Sequence, residues 1–251
     1  NRGLSCVVVK RDGDLFLFDC GEGCQRQFMI ARIGFPSNFR IFISHLHGDH
    51  ILGLPGLLQS MALLDRSKPV YIYGPEGIIN FLDCVRRSLR FKLTYAVVVH
   101  EVSRGVIFET DDLFICSELA DHGIPNLAFS LEEKLKPGRF YPEKAIALGV
   151  PRGPLWKRLQ RGESVKNLMG NLVSPDQVMG PPRPGIKVVY SGDTRPCDSV
   201  INLAEGCDLL IHDATFDDSL MEKAHRDGHS TAGEAAEVAF RANAKLSLIH
   251  I

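Results

Sequence analysis

The stretch from Ser44 to His50 constrains this chain most, because it reads Ser-His-Leu-His-Gly-Asp-His. Four side chains of metal-binding type lie within six residues there: His45, His47, Asp49 and His50. The apolar run Phe39 to Ile43 before it is typical of a buried strand, and the apolar residues from Ile51 to Leu64 predict a helix after it. The pattern therefore predicts a group of ligands held in a tight loop at the end of a rigid strand.

Imidazole nitrogens and carboxylate oxygens are ligands that zinc accepts in proteins. Four of them in one loop are too many for a single tetrahedral ion that also keeps a position for water, so two adjacent metal ions fit better. Two-metal sites occur in phosphatases and nucleases, where the ions hold both the attacking and the leaving oxygen. The alternative is a polar loop with three unrelated histidines, which requires chance clustering of these residues at a strand end.

Other polar residues follow further predicted strands. The candidates for additional ligands or catalytic groups are His122, Asp193, His229 and His250. His122 alone is weak evidence, but it becomes a candidate because the site needs more ligands. Asp19, at the end of the second predicted strand, is as a bare residue a turn cap. His100 alternates within an apolar strand, and we interpret it as structural.

The order of predicted elements indicates an α/β protein. Two strands joined by an Asp-Gly turn open the chain, and strands and helices then alternate, which favours a layered sandwich. With 251 residues, 45% of them hydrophobic, the chain can form one domain over residues 1–251 with an inserted excursion. No stretch reaches the roughly 18 apolar residues of a membrane span and no signal peptide precedes the first strand, so we expect no membrane association and a cytoplasmic location.

A basic segment runs from about residue 130 to 177. Between residues 131 and 177 it holds nine basic and five acidic residues, a net charge of +4 in a chain whose formal charge is −1. Its Pro and Gly residues argue against an integrated core element, so we interpret it as an excursion from the body. The alternative is a charged loop in solvent.

Together these motifs resemble the ribonuclease Z family, the tRNA 3′-processing endonucleases of the metallo-β-lactamase superfamily. The resemblance is carried by the loop from His45 to His50, by His122 before Gly-Ile-Pro, and by Ser-Gly-Asp-Thr, His-Asp-Ala-Thr and His-Ser-Thr at Asp193, His212 and His229. The stretch Ala147 to Pro154 resembles the flexible arm, or exosite, of that family. The resemblance implies a metallo-β-lactamase-fold αββα sandwich with an inserted arm at about 130–177.

The resemblance also implies two Zn²⁺ ions per chain, with Mn²⁺ or another divalent metal as an alternative. One ion would be held by His45, His47 and His122, and the other by Asp49, His50 and His250. Asp193 matches a carboxylate that bridges both ions. Asp49 would also accept a proton from the attacking water, and His229 would protonate the leaving oxygen. Asp19 matches an aspartate beneath the metals.

A family member of this kind would hydrolyse precursor tRNA just after the discriminator base and act as a homodimer. The arm, with Lys157, Arg158 and Arg161 as candidate contacts, would bind tRNA phosphates without reading sequence. The alternatives are a hydrolase of small esters or phosphodiesters on the same fold and a non-catalytic RNA-binding relative. The family's opening strand before Asn1 and its segment after the last histidine are missing, as expected for a fragment.

Overall fold

The computed structural model describes residues 3 to 250 and, at His250, the backbone alone. The strands are β1 (Val7–Arg11), β2 (Asp14–Phe18), β3 (Asn38–Phe42), β4 (Val70–Gly74), β5 (Val97–Glu101), β6 (Gly105–Glu109), β7 (Leu113–Ala120), β8 (Asn126–Glu133), β9 (Val165–Lys166), β10 (Leu172–Val173), β11 (Lys187–Tyr190), β12 (Leu209–Asp213) and β13 (Ser247–His250). The helices are α1 (Cys24–Ile30), α2 (Gly48–Ile51), α3 (Leu54–Leu63), α4 (Ile78–Leu89), α5 (Pro142–Ala147), α6 (Pro154–Gln160), α7 (Pro175–Val178), α8 (Asp198–Leu203), α9 (Met221–Asp227) and α10 (Ala232–Arg241).

The first sheet has the strand order β1-β2-β3-β4-β5. Its opening hairpin turns at Asp12 and Gly13, whose φ angles of 45° and 92° are the left-handed conformation that a two-residue hairpin requires, as the Asp-Gly pair predicts. From β2 to β5 the strands are parallel. Their carboxyl ends therefore lie at one edge, where the loop from Ser44 to His50 begins.

The second sheet has the order β13-β12-β11-β8-β7-β6, and β11, β12 and β13 are parallel. The helices α8 and α10 pack on its outer face, where Ile201 and Val238 join Val189 and Leu210 in one hydrophobic cluster. Thr231 and Glu234 form a capping box at the start of α10.

The two sheets face each other across an aromatic layer. Phe18 stacks on Phe42 at 5.3 Å between ring centroids, and Phe129 and Tyr190 from the second sheet lie 5.9 and 6.0 Å from Phe18. On the outer face of the first sheet, the alternate residues such as Leu17 pack against α3 in another cluster. Helix, sheet, sheet and helix thus form the αββα sandwich expected from the resemblance, and the fold class is confirmed.

The chain divides into two compact units. The first comprises residues 1–109, 115–131 and 187–251, and the second comprises 110–114 and 132–186. We call the second the basic unit. It has its own hydrophobic cluster, in which the buried side chains are Ala145, Val150, Leu159, Val165, Val173 and Val178. The Pro and Gly residues of this segment are compatible with a small core of its own, because they lie at helix starts and turns such as Pro154 and Gly149, and the assignment of the segment as an arm stays a prediction.

Some elements differ from the sequence predictions. Helix α1 ends at Ile30, because the chain turns at Arg32 with a φ of 53°. Strand β6 was not predicted, since its residues are mostly exposed or half-buried and show little apolar alternation. Asp49 and His50 lie in the short helix α2 and not in an irregular loop. Among the described residues, none of the helices is both long and apolar enough to cross a membrane.

Candidate active site

Six polar side chains meet at the carboxyl edge of the sheets in the first unit. They come from the loop after β3 with helix α2, from the ends of β7 and β11, and from the turn before α10: His45, His47, His50, His122, Asp193 and His229. We call these six residues the histidine cluster. They are separated by up to 184 positions in sequence, yet each follows or flanks an element end that the fold brings to this edge. The structure therefore joins candidates that the sequence analysis found in separate motifs.

The ligand atoms of the cluster lie within a few ångströms of each other. The Nδ1 atom of His47 is 3.1 Å from Nε2 of His45 and 3.1 Å from Nε2 of His122. The Oδ2 atom of Asp193 is 3.1 Å from Nε2 of His50, 3.9 Å from Nε2 of His45 and 4.0 Å from Nε2 of His122. The Asp193 carboxylate thus faces both the group of three histidines and His50, and its role as a bridge stays a prediction.

Hydrogen bonds behind the cluster orient its rings. The Nδ1–H of His122 donates to the carbonyl oxygen of Gly228 at 2.7 Å, and that of His45 donates to Ser44 Oγ at 2.9 Å. His50 donates from Nδ1 to Asp19 Oδ2 at 2.7 Å. With Nδ1 engaged in this way, Nε2 of each ring is directed into the cluster. Metal-binding histidines are oriented in this way by their outer hydrogen-bond partners.

Asp19 organises the floor of the site and is not a simple turn cap. Its fully buried carboxylate accepts hydrogen bonds from the backbone N–H and the hydroxyl of Ser44, both at 2.7 Å, and from the Tyr190 hydroxyl at 2.6 Å, besides the one from His50. Burial raises the pKa of this carboxyl, but the hydrogen bond and charge of His50 outweigh burial and hold the pKa below its usual value. A buried, charged Asp19 therefore fixes both the start of the loop at Ser44 and the ring of His50.

The electrostatics of the cluster favour a cation. Burial, followed by the charge of His50, lowers the pKa of His45 to about 3, so its ring is neutral and carries a lone pair. Burial also lowers the pKa of His50, but the hydrogen bonds to Asp19 and Asp193 outweigh burial and raise the pKa to about 10. A positive charge between His50 and Asp193 is therefore strongly stabilised.

This donor set fits divalent metal ions. Neutral imidazole lone pairs aimed at one another at 3.1 Å repel unless a proton or a metal ion lies between them. Tetrahedral zinc with Zn–N bonds of about 2.0–2.1 Å holds its nitrogen ligands about 3.4 Å apart, close to the spacing around His47. Among the described residues, the groups of side chains able to hold an ion are His45-His47-His122, His45-His50-Asp193 and His122-Asp193-His229.

Two predicted ligands stand apart from these groups. The carboxylate of Asp49 is half exposed, and its Oδ2 lies 3.6 Å from Nε2 of His50. It is at the rim of the cluster, where it can reach both solvent and the site. The backbone of His250 pairs with that of Asp213 at the end of β13, but the His250 side chain lies outside the described residues. The roles of both as ligands stay predictions.

His229 has a carboxylate partner that the sequence analysis did not identify. Its Nδ1 donates to Asp213 Oδ2 at 2.9 Å, and the hydrogen bond from Asp213 raises the pKa of the ring above its usual value. Asp213 also accepts from the backbone of Thr194 at 3.0 Å and from the hydroxyl of Thr215 at 2.6 Å. The signal for Asp213 was present, because the motif His-Asp-Ala-Thr places a carboxylate at the end of a strand beside the site.

The other candidates lie outside the cluster. Lys157, Arg158 and Arg161 are exposed on and after helix α6 of the basic unit. Arg158 forms an ion pair with Glu163, with 2.8 Å between Nε and Oε2, so much of its charge is already balanced. His100 stacks on Tyr73 at 5.0 Å between ring centroids, and it is not in the metal-type groups of the described residues.

Comparisons with known proteins agree with this geometry. A family model described as "Beta-lactamase superfamily domain" matches residues 178–251, and one described as "Anti-Pycsar protein Apyc1" matches residues 4–122. The crystal structure of YhfI from Bacillus subtilis, a metallo-beta-lactamase fold protein, has a TM-score of 0.64 at 18% identity over 99% of this chain and 79% of its own. At that identity the likeness shows the fold alone.

Proteins with a higher sequence identity to this chain are named ribonuclease Z or tRNase Z. Ribonuclease Z of Methanothermobacter thermautotrophicus is 49% identical over 100% of this chain and 81% of its own length, and that of Methanosarcina acetivorans is 46% identical over 100% and 82%. The crystal structure of human tRNase Z, short form, has a TM-score of 0.72 at 29% identity and covers 98% of this chain and 87% of its own. On this evidence, the chain belongs to the ribonuclease Z family.

Proposed function

We propose that this chain is a metal-dependent endoribonuclease that hydrolyses precursor tRNA after the discriminator base and removes the 3′ trailer. The observation that carries the proposal is the convergence of four histidines and Asp193, with His45, His50 and His122 oriented from behind, in a chain of the ribonuclease Z family. The names of the relatives, ribonuclease Z and tRNase Z, support RNA as the substrate. A buried, oriented ligand set is also what separates an enzyme from a non-catalytic RNA-binding relative.

The metal site in this proposal holds two zinc ions. His45, His47 and His122 would hold one ion, Asp49, His50 and His250 the other, and Asp193 would bridge them. Bound divalent ions would act as Lewis acids on the scissile phosphate and on a water molecule. Asp19 supports this arrangement through Ser44 and His50, because its four hydrogen bonds leave neither the loop nor the ring free to turn.

The proton transfers fall to two residues at the rim. Asp49, half exposed next to His50, is placed to accept a proton from the water that attacks phosphorus. The bond between phosphorus and the 3′ oxygen of the tRNA then breaks, and His229 donates the proton that this oxygen needs to leave as a hydroxyl. Asp213 positions His229, since its hydrogen bond keeps Nδ1 occupied and Nε2 available to substrate.

The basic unit would bind the folded body of the tRNA through phosphates. Lys157 and Arg161 are exposed and are the stronger candidates for these contacts, whereas Arg158 is engaged by Glu163. Phosphate contacts of this kind set register and affinity without reading sequence. A homodimer and a cytoplasmic location belong to the same proposal and stay predictions.

The test uses the purified chain and a precursor tRNA with a 3′ trailer. We expect one cut after the discriminator base, with a 3′-hydroxyl on the tRNA, two zinc ions per chain by elemental analysis, and loss of cutting on chelation that zinc restores. A mature tRNA without a trailer is the matched control. Cleavage of small esters with no cut in precursor tRNA would favour a hydrolase of small esters or phosphodiesters. Tight tRNA binding without cleavage would favour a non-catalytic RNA-binding protein.

A further inference from the structure

Arg40 is an unusual residue in the aromatic layer between the sheets. It lies in β3 beside Phe16 of β2 and Tyr71 of β4, and only 15% of its side chain is exposed. Its guanidinium lies over the Phe108 ring, with 4.2 Å from Cζ to the ring centroid. A charged group at this depth requires compensation by hydrogen bonds or by an opposite charge.

That compensation is incomplete. Among the described residues, the buried Nε and Nη1 atoms of Arg40 have no hydrogen-bond partner. The nearby carboxylate oxygen Oδ1 of Asp14 is 3.8 Å from Nη1, which is too long for a hydrogen bond. Cation–π contact with Phe108 favours the positive charge but does not satisfy the N–H donors. Buried donors without a protein acceptor are rare in folded proteins, so the guanidinium of Arg40 keeps hydrogen-bonding capacity that the described side chains do not use.

A cavity adjoins the Arg40 side chain. It has a volume of about 560 Å³, and its lining includes Arg40, Lys68, Asn38, Tyr71, Tyr73 and Phe108. This volume falls within the range of about 300–1,000 Å³ that is usual for small-molecule sites. Two cations, aromatic rings and a side-chain amide line one space, whereas Asp14 is the only acidic residue within ion-pair distance of Arg40 in the described part of the chain.

We propose that this cavity binds a nucleoside monophosphate. The phosphate would accept a hydrogen bond from Nη2 of Arg40, because Nε and Nη1 are buried, and another from the ammonium of Lys68. The base would stack on the ring of Tyr71 or Phe108, as nucleobases do on aromatic side chains. The same chemistry is offered by a free mononucleotide and by the terminal nucleotide of an RNA strand.

The site is separate from the histidine cluster. Arg40 is the central residue of β3, the predicted ligands His45 and His47 follow the carboxyl end of the same strand, and the lining of the cavity includes none of the histidine cluster. A nucleotide bound at Arg40 therefore need not contact the metal ligands. For this reason the inference does not depend on the proposed nuclease activity.

Calorimetric titration of the zinc-loaded chain with adenosine monophosphate tests the proposal. Because the metal site can also bind phosphate, the titration is repeated on Asp193→Ala. We expect Asp193→Ala to retain the adenosine monophosphate binding that belongs to the cavity. Arg40→Met should reduce the affinity of that binding by at least about tenfold. Adenosine and inorganic phosphate, each with half of the chemistry, should bind more weakly than the nucleotide.

Two further variants keep the test decisive. Lys68→Gln, an exposed position, should weaken nucleotide binding even if Arg40→Met fails to fold, and Arg26→Gln, which removes an exposed arginine elsewhere, should leave it unchanged. Titration with a dinucleotide that carries a terminal phosphate distinguishes the two sources of the ligand. Tighter binding of the dinucleotide would indicate an RNA end, and tighter binding of adenosine monophosphate would indicate a free nucleotide. Nucleotide binding that disappears in Asp193→Ala, or that Lys68→Gln and a folded Arg40→Met both retain, would overturn the proposal.

Discussion

The histidine cluster and the basic unit use charged groups in opposite ways. In the cluster, His45, His50 and Asp193 are buried, and hydrogen bonds of 2.7–2.9 Å that the two rings donate to Asp19 and Ser44 hold them in place. In the basic unit, Lys157 and Arg161 are exposed, and the pair Arg158–Glu163 has both side chains about half exposed. Chemistry at a phosphate needs groups that are fixed before the substrate arrives, whereas binding of a polyanion needs accessible cations that release counterions.

This contrast predicts that substitutions in the cluster change chemistry on every substrate. Asp193→Ala should have the largest effect. It removes the carboxylate that lies between His50 and the other three histidines, so the two proposed zinc ions would repel each other without a shared negative charge. Zinc content and cleavage of precursor tRNA should fall together, the latter to background. Asp198→Ala, at an exposed aspartate paired with Arg241, is the control. Two zinc ions with near-normal turnover in Asp193→Ala would refute the assignment.

His229→Ala separates proton donation from metal binding. Zinc content should be retained, and cleavage of precursor tRNA should slow by about 10²–10⁴, the usual contribution of a general acid. A nitrophenyl phosphodiester has a leaving group that needs no proton, so its hydrolysis should change far less. The two rates, measured on the same preparation with its zinc content, decide the role. Loss of zinc in this variant would make His229 a ligand, as its place beside His122 and Asp193 permits.

Shortening the basic unit tests substrate binding alone. The backbones of Lys136 and Arg183 hydrogen-bond to each other at 2.9 Å in both directions, so residues 137–182 can be replaced by a short Gly-Ser linker between them. Hydrolysis of the nitrophenyl phosphodiester and zinc content should survive. The KM for precursor tRNA should rise and its dependence on salt should flatten. An unchanged KM and salt dependence would show that the segment is only a solvated excursion.

Asp213→Asn tests a positioning residue. The amide keeps the shape but loses the charge behind His229, so kcat on precursor tRNA should fall by about 10–100-fold, as for other outer-shell partners, while KM and zinc content stay constant. The nitrophenyl substrate should again be nearly unaffected. A purely structural role would instead lower the rates on both substrates together, and the thermal unfolding temperature would fall with them.

The smallest effect is expected from individual cations of the basic unit. In the double variant Lys157→Gln with Arg161→Gln, we plot the logarithm of the tRNA binding constant against the logarithm of the salt concentration. The slope of that plot should decrease by about 1 for each phosphate that is no longer neutralised, and kcat should be unchanged. Arg158→Gln is the matched control, since Glu163 already balances its charge. Binding constants over a salt series give the slopes. An equal change for Arg158→Gln would show that the ion pair opens on binding.

Much of the fold was predictable because local patterns agreed with each other. The apolar strand before Ser44 and the Asp-Gly turn each depend on a few neighbouring residues, and the structure retains both. The loop from His45 to His50 was equally clear, because its ligand types are rare at such spacing. Strand β6 was not, since a half-exposed edge strand leaves little apolar pattern in the sequence.

Relations between distant residues were decided only by the tertiary structure. Asp19 looked like a turn cap, and it became the floor of the site because the fold brings Ser44, His50 and Tyr190 to its carboxylate. Asp213 acquired its place behind His229 in the same way. The core of the basic unit and the unpaired donors of Arg40 likewise depend on packing. A local pattern states which groups a segment carries, but hydrogen bonding and burial depend on what the rest of the chain places beside them.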